Sequence, residues 1–80
     1  MTRIVINAYI VSDPHICHGK PTFNGTRVMV WQVLDMLAAG ETADSIREAF
    51  PSLSPKHVKA ALEYASSITR ESFAIVKMHA

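Results

Sequence analysis

Two short stretches of this 80-residue sequence concentrate side chains able to do chemistry. The first is His15-Ile16-Cys17-His18, just after Asp13, with three metal-capable side chains in four positions. Structural zinc sites pair their ligands two to four residues apart and draw a second pair from elsewhere in the chain. His15, Cys17 and His18 are set too tightly to wrap one ion, and only the isolated His57 and His79 remain to help. The expectation here is a loop without metal. A nucleophilic Cys17 would need a positioned base and an oxyanion site, and neither is visible. The acidic residues stand singly, and Gly19, Gly25 and Gly40 each have a turn or cap to serve rather than a phosphate to cradle. The sequence therefore offers no catalytic residues and asks for no cofactor. It predicts a protein that works by binding.

The second stretch begins at Ser54-Pro55-Lys56-His57-Val58-Lys59. A short helix, the four-residue turn Pro51-Ser52-Leu53-Ser54 and a longer helix have the dimensions of a helix-turn-helix. In that arrangement the first turns of the second helix enter the major groove, so Ser54, Lys56, His57, Lys59, Ala60 and Glu63 are the candidates to face DNA. Lys56 and Lys59 would meet phosphates. Ser54 and His57 are placed to meet base edges, without the bidentate grip of Arg or Asn. Arg47, Lys20 and Arg27 are candidate phosphate contacts outside that helix. Charge gives no independent support: the net charge is +1, and residues 41–65 carry Glu41, Asp44, Glu48 and Glu63 against Arg47, Lys56 and Lys59.

The elements that must position these groups are read from turn signals and hydrophobic period. Ile4-Val5-Ile6 and Tyr9-Ile10-Val11 are extended segments, interrupted at Asn7-Ala8 and stopped by Ser12-Asp13-Pro14. From Pro21 to Val28 the pattern is a β-hairpin whose Asn24-Gly25 pair suits a type I′ turn. From about Val30 the period becomes helical, with Val30, Val33, Leu34 and Leu37 on one face and Gly40 as the stop. Trp31 and Met36 lie on opposite flanks of that face and widen it. A second helix runs from an N-cap at Thr42 through Phe50, with Ile46, Ala49 and Phe50 facing inward. A third begins at Ser54-Pro55, with Val58, Ala61, Leu62, Ala65 and Ile68 on its core side and Lys56, Lys59, Glu63, Ser67 and Arg70 opposite. Carried on in the same phase through Phe73 and Val76, it would be about 22 residues and roughly 33 Å long. Ile68, Phe73, Ile75, Val76 and Met78 would then overhang the body and need another surface.

Residues 1–80 read as a single domain, with an extended segment and hairpin over 1–28 and a helical part over 29–80. Half the residues are apolar (49%) and only 19% are charged, more apolar area than so small an interior can take in. With a single cysteine there is no internal disulfide framework to help. Association is the expected remedy, as a homodimer or with a partner, through Trp31, Met36, Ile68, Phe73, Ile75 and Val76. No apolar run approaches the roughly 20 residues that cross a bilayer, and the opening residues lack a signal-peptide pattern, so the expectation is a cytoplasmic protein with no membrane partner.

One family shares these features in order. Ile10-Val11-Ser12-Asp13-Pro14, then Gly19-Lys20-Pro21, Gly25-Thr26-Arg27 and Val30 come first. Leu37-Ala38-Ala39-Gly40-Glu41-Thr42, Ile46, Phe50-Pro51, Leu53-Ser54 and Val58 to Ala65 follow. Over roughly Tyr9 to Ala65 this resembles the domain-of-unknown-function family 433. The resemblance implies a homeodomain-like helix-turn-helix behind a short hairpin. Joined to the helical periods above, the expected fold is mainly α, an N-terminal β-hairpin followed by a three-helix, homeodomain-like helix-turn-helix domain with a long C-terminal helix. It also implies a bacterial or archaeal DNA-binding antitoxin of a type II toxin-antitoxin module, bound to operator DNA and to a PIN-like ribonuclease toxin. The alternative is a protein-protein interaction module that neutralises or scaffolds a partner without touching DNA, which the near-neutral helix pair favours.

Overall fold

The computed structural model describes residues 2–71. Three short strands, β1 (Ile4–Val5), β2 (Ile10–Ser12) and β3 (Thr22–Phe23), precede three helices, α1 (Val30–Ala38), α2 (Ala43–Ala49) and α3 (Pro55–Glu71). The strands form one antiparallel sheet in the order β1-β2-β3. This corrects the mainly α expectation of a lone hairpin ahead of a homeodomain-like three-helix body. The molecule is a small α/β domain whose sheet supplies part of the core.

Asn7 is the reason that β1 and β2 pair. Its Oδ1 accepts the backbone N–H groups of Tyr9 (2.9 Å) and Ile10 (3.0 Å), a side-chain mimic of a turn that reverses the chain. The apparent interruption at Asn7-Ala8 is thus the loop of a hairpin. In the ladder Ile10 stands opposite Phe23, and Val11 stands opposite both Val5 and Thr22. Because side chains alternate across a strand, Ile10 and Phe23 share the face that meets the helices. Both are fully buried in one cluster with Val30, Val33, Ile46, Leu53, Val58, Ala60 and Ala61.

The turn after β3 also differs from expectation. Thr26 N–H donates to Phe23 O (3.0 Å), but of the two central residues only Gly25 has a positive φ, +81°. That is the pattern of a type II turn, not of type I′. Asn24 N–H is held by Tyr9 O at 2.9 Å, so the turn is fastened to the sheet as well as to its own arms. The return arm adds a single bridge, Thr22 to Met29, before α1 begins.

Thr22 is fully buried, and its hydroxyl has no hydrogen-bond partner among the described residues. An unpaired hydroxyl in such a place costs about 1–3 kcal/mol, whereas an apolar group of the same shape costs nothing comparable. Thr22→Val should therefore raise stability by about 1 kcal/mol. A chemical-denaturation midpoint equal to or below the wild-type value would show that the hydroxyl is satisfied.

The helix ends follow local rules. After α1, Gly40 takes φ +89°, Gly40 N–H reaches Leu37 O (3.0 Å) and Glu41 N–H reaches Met36 O (3.0 Å), the bonds of a Schellman stop. Thr42 caps α2: its hydroxyl accepts Ser45 N–H at 3.2 Å, and Ser45 Oγ accepts Thr42 N–H at 3.0 Å. Ile46 faces inward and is buried, Phe50 is half-buried against the core, and Ala49 is exposed. Met36, expected at an interface, packs partly against its own core along with Leu34 and Leu37. Trp31 stays half-exposed, its indole N–H on Met29 Sδ at 3.3 Å.

α3 spans 17 residues, about 25 Å at 1.5 Å per residue. The continuation through Phe73, Ile75 and Val76 lies outside the described residues. Its buried arc is turned relative to the sequence pattern: Ala60 is buried, whereas Leu62 is 50% exposed. The sheet is the cause. The β1-β2 loop docks on α3, where Asn7 Nδ2 donates to Ala60 O (3.3 Å), and it covers a side of the helix that three helices alone would have left open.

Candidate nucleic-acid interface

The start of α3 is anchored from within. Ser54 O accepts His57 N–H at 3.0 Å, and Ser54 N–H donates to His57 Nδ1, also at 3.0 Å. The Ser54 hydroxyl lies 2.9 Å from the same ring nitrogen. The Ser54 N–H is thus met as in one arm of a capping box, with a histidine in the place usually taken by Glu or Gln. Since Nδ1 accepts the Ser54 N–H, the hydrogen of the ring sits on Nε2. The imidazole in turn packs on two aromatic rings, Tyr9 of the β1-β2 loop at 4.9 Å and Phe23 of β3 at 5.7 Å between centroids.

Ser54 and His57, expected to meet base edges, are both half-buried and engaged with each other. Ala60 is buried beneath the β1-β2 loop. Stepping round α3 at 100° per residue, the exposed Lys56, Lys59, Glu63, Ser66 and Arg70 fall on the outward side. Of the expected DNA-facing set on α3, then, Lys56, Lys59 and Glu63 remain presented to solvent. Arg70 extends that stripe, with Nη2 on Ser66 Oγ at 3.1 Å. Arg47 is exposed on α2, and Lys20 and Arg27 are exposed at either end of the β3 segment.

Arg3 was not singled out by the sequence pattern. It is exposed ahead of β1, and Nη1 donates to Asn24 Oδ1 at 3.2 Å. No local signal links residues 3 and 24. Only the strand pairing brings them together.

The His15–His18 stretch closes on itself. Asp13 Oδ1 accepts His15 N–H at 2.8 Å, and Cys17, His18 and Gly19 take φ values of 50°, 57° and 82° in a single left-handed turn. Cys17 Sγ donates to Arg27 O at 3.6 Å, while His15 and His18 stand exposed. Among the described residues, no three His, Cys, Asp or Glu side chains gather in a way that would hold a metal ion. Nor is any helix among them long and apolar enough to cross a membrane.

Among known proteins, the family model described as "Protein of unknown function (DUF433)" matches residues 10–65. The chain belongs to the DUF433 family. The DUF433 match begins in β2 and ends within α3, so it takes in the sheet-to-helix core and the capped start of α3 and leaves Arg3 and β1 outside. A relative, the uncharacterized protein y4eO of Sinorhizobium fredii (strain NBRC 101917 / NGR234), is 38% identical over 58 residues. That alignment covers 72% of this chain but 26% of y4eO, so the chain spans about a quarter of its relative's length. No solved structure matches.

Proposed function

We propose that this DUF433 protein is a cytoplasmic, DNA-binding antitoxin-like protein, a homodimer that grips operator DNA with the outward side of α3 and holds a PIN-like toxin with another surface. One observation carries the DNA part. α3 is clamped at its start by the Ser54-His57 cap and along one side by the β1-β2 loop, so Lys56 and Lys59 project from a rigid element. Rigid presentation lowers the entropy lost when a flexible lysine binds a phosphate. With Ser54 and His57 engaged inward, base reading is weak and phosphate contact dominates. Half-exposed Trp31 and Ile68 are the apolar residues offered for dimer or toxin contact.

Binding of labelled duplex DNA across a range of salt tests this reading. For phosphate contacts the logarithm of the affinity falls linearly with the logarithm of the salt concentration, by about 0.9 per contact. Lys56→Ala with Lys59→Ala should make that slope shallower by about two and weaken binding at every DNA sequence tried. Binding that ignores both substitutions and the salt concentration would exclude it.

A second reading, a partner-binding module that never touches DNA, is favoured by the 61% and 63% exposure of Ile4 and Val5 on the edge strand and by the outward Leu62. Co-purification with a PIN-like protein, together with no retained nucleic acid, would select it.

A further inference from the structure

We propose that Arg3 is a phosphate-binding residue of the same nucleic-acid interface, a contact that lies outside the family's matched stretch. The inference rests on the reading that α3 meets DNA. It starts from a chain of contacts between the sheet and the start of α3. The Arg3 guanidinium is held by the Asn24 side chain at 3.2 Å, and Asn24 N–H is held by Tyr9 O at 2.9 Å. Tyr9 and the neighbouring Phe23 both pack on His57, in the first turn of α3 and next in sequence to Lys56. This relay of contacts links Arg3 to the first turn of α3, although Arg3 and Lys56 lie 53 residues apart in sequence.

The partner of Arg3 matters as much as its place. Asn24 offers a neutral amide oxygen, which orients the guanidinium and leaves its charge uncompensated. It uses one N–H of the planar fork, and the remaining donors suit phosphate oxygens, which guanidinium groups bind bidentately. A lysine ammonium would lack both the fork and that preference. Lys56 and Arg3, presented from different elements and both exposed, each offer a cation to a phosphate of the duplex.

Fluorescence anisotropy of a labelled, mixed-sequence duplex about two helical turns long, titrated with the full chain at several salt concentrations, tests the proposal. Arg3→Ala should weaken binding several-fold at low salt and make the slope shallower by about 0.9. Arg3→Lys should keep the slope and recover only part of the affinity, and Asn24→Ala should lower affinity without changing the slope. All three variants should melt within a few degrees of the wild-type protein, because the two side chains are exposed. If Lys56→Ala with Lys59→Ala weakens binding while Arg3→Ala matches the wild type, Arg3 makes no contact, although the α3 reading survives. If the wild-type protein fails to bind, or the lysine pair has no effect, the α3 reading falls and the Arg3 proposal falls with it.

Discussion

Phe23→Ala should abolish cooperative folding at ordinary temperature or lower the melting midpoint by roughly 15–30 °C, as followed by circular dichroism. Phe23 is fully buried, and it stands opposite Ile10 in the ladder. Its ring also meets the His57 imidazole. Removing a buried phenyl ring typically costs about 3–5 kcal/mol, because the lost transfer energy is joined by the cost of the cavity left behind. A domain of this size typically holds only about 3–5 kcal/mol in reserve, so that loss is comparable to the whole. Phe23→Leu, which refills much of the volume, should cost markedly less. A midpoint for Phe23→Ala within a few degrees of wild type would mean that the sheet is a decoration on a helical core. The mixed α/β reading of the fold would then be wrong.

The second large effect is expected at His57, where two kinds of interaction meet in one side chain. Losing a cap acceptor costs about 0.5–2 kcal/mol, and each aromatic pair adds about 0.5–1.5 kcal/mol. His57→Ala should therefore destabilise by about 2–3 kcal/mol. Two further variants divide the total. His57→Gln keeps an acceptor able to reach Ser54 N–H and gives up the packing on Tyr9 and Phe23. His57→Phe keeps the packing and gives up the acceptor. Each should fall between wild type and His57→Ala in a urea titration, with unchanged dependence on denaturant. Should both match wild type, the link between the α3 cap and the sheet would carry no energy, and Lys56 and Lys59 would lose the rigid base assigned to them.

How much of this was legible beforehand divides along the range of the interactions. Thr42, Ser54-Pro55 and Gly40 mark helix ends because capping and the left-handed stop are settled within five or six residues, so α1 and α2 stand, and α3 begins, where the pattern places them. The buried positions Val30, Val33, Ile46, Val58 and Ala61 were legible for a similar reason, since helical period reports a face without reference to what covers it. The family words between Ile10 and Ala65 were sufficient to place the chain among its relatives.

The sheet was a different matter. Strands of two or three residues are too short to show a period, and the extended runs gave no indication that Asn7 would fold β1 back onto β2. That pairing depends on contacts between distant parts of the chain, and its consequences reach the candidate site. The docked loop covers Ala60, the rings of Tyr9 and Phe23 hold His57, and the turn after β3 gathers in Arg3. Residue type and spacing determined a helix-rich chain with lysines near the start of its last helix. Which side of that helix faces solvent, and which distant arginine joins the turn after β3, was decided only when the strands paired. A helix's own pattern describes its faces, and burial of any one of them is a property of its neighbours.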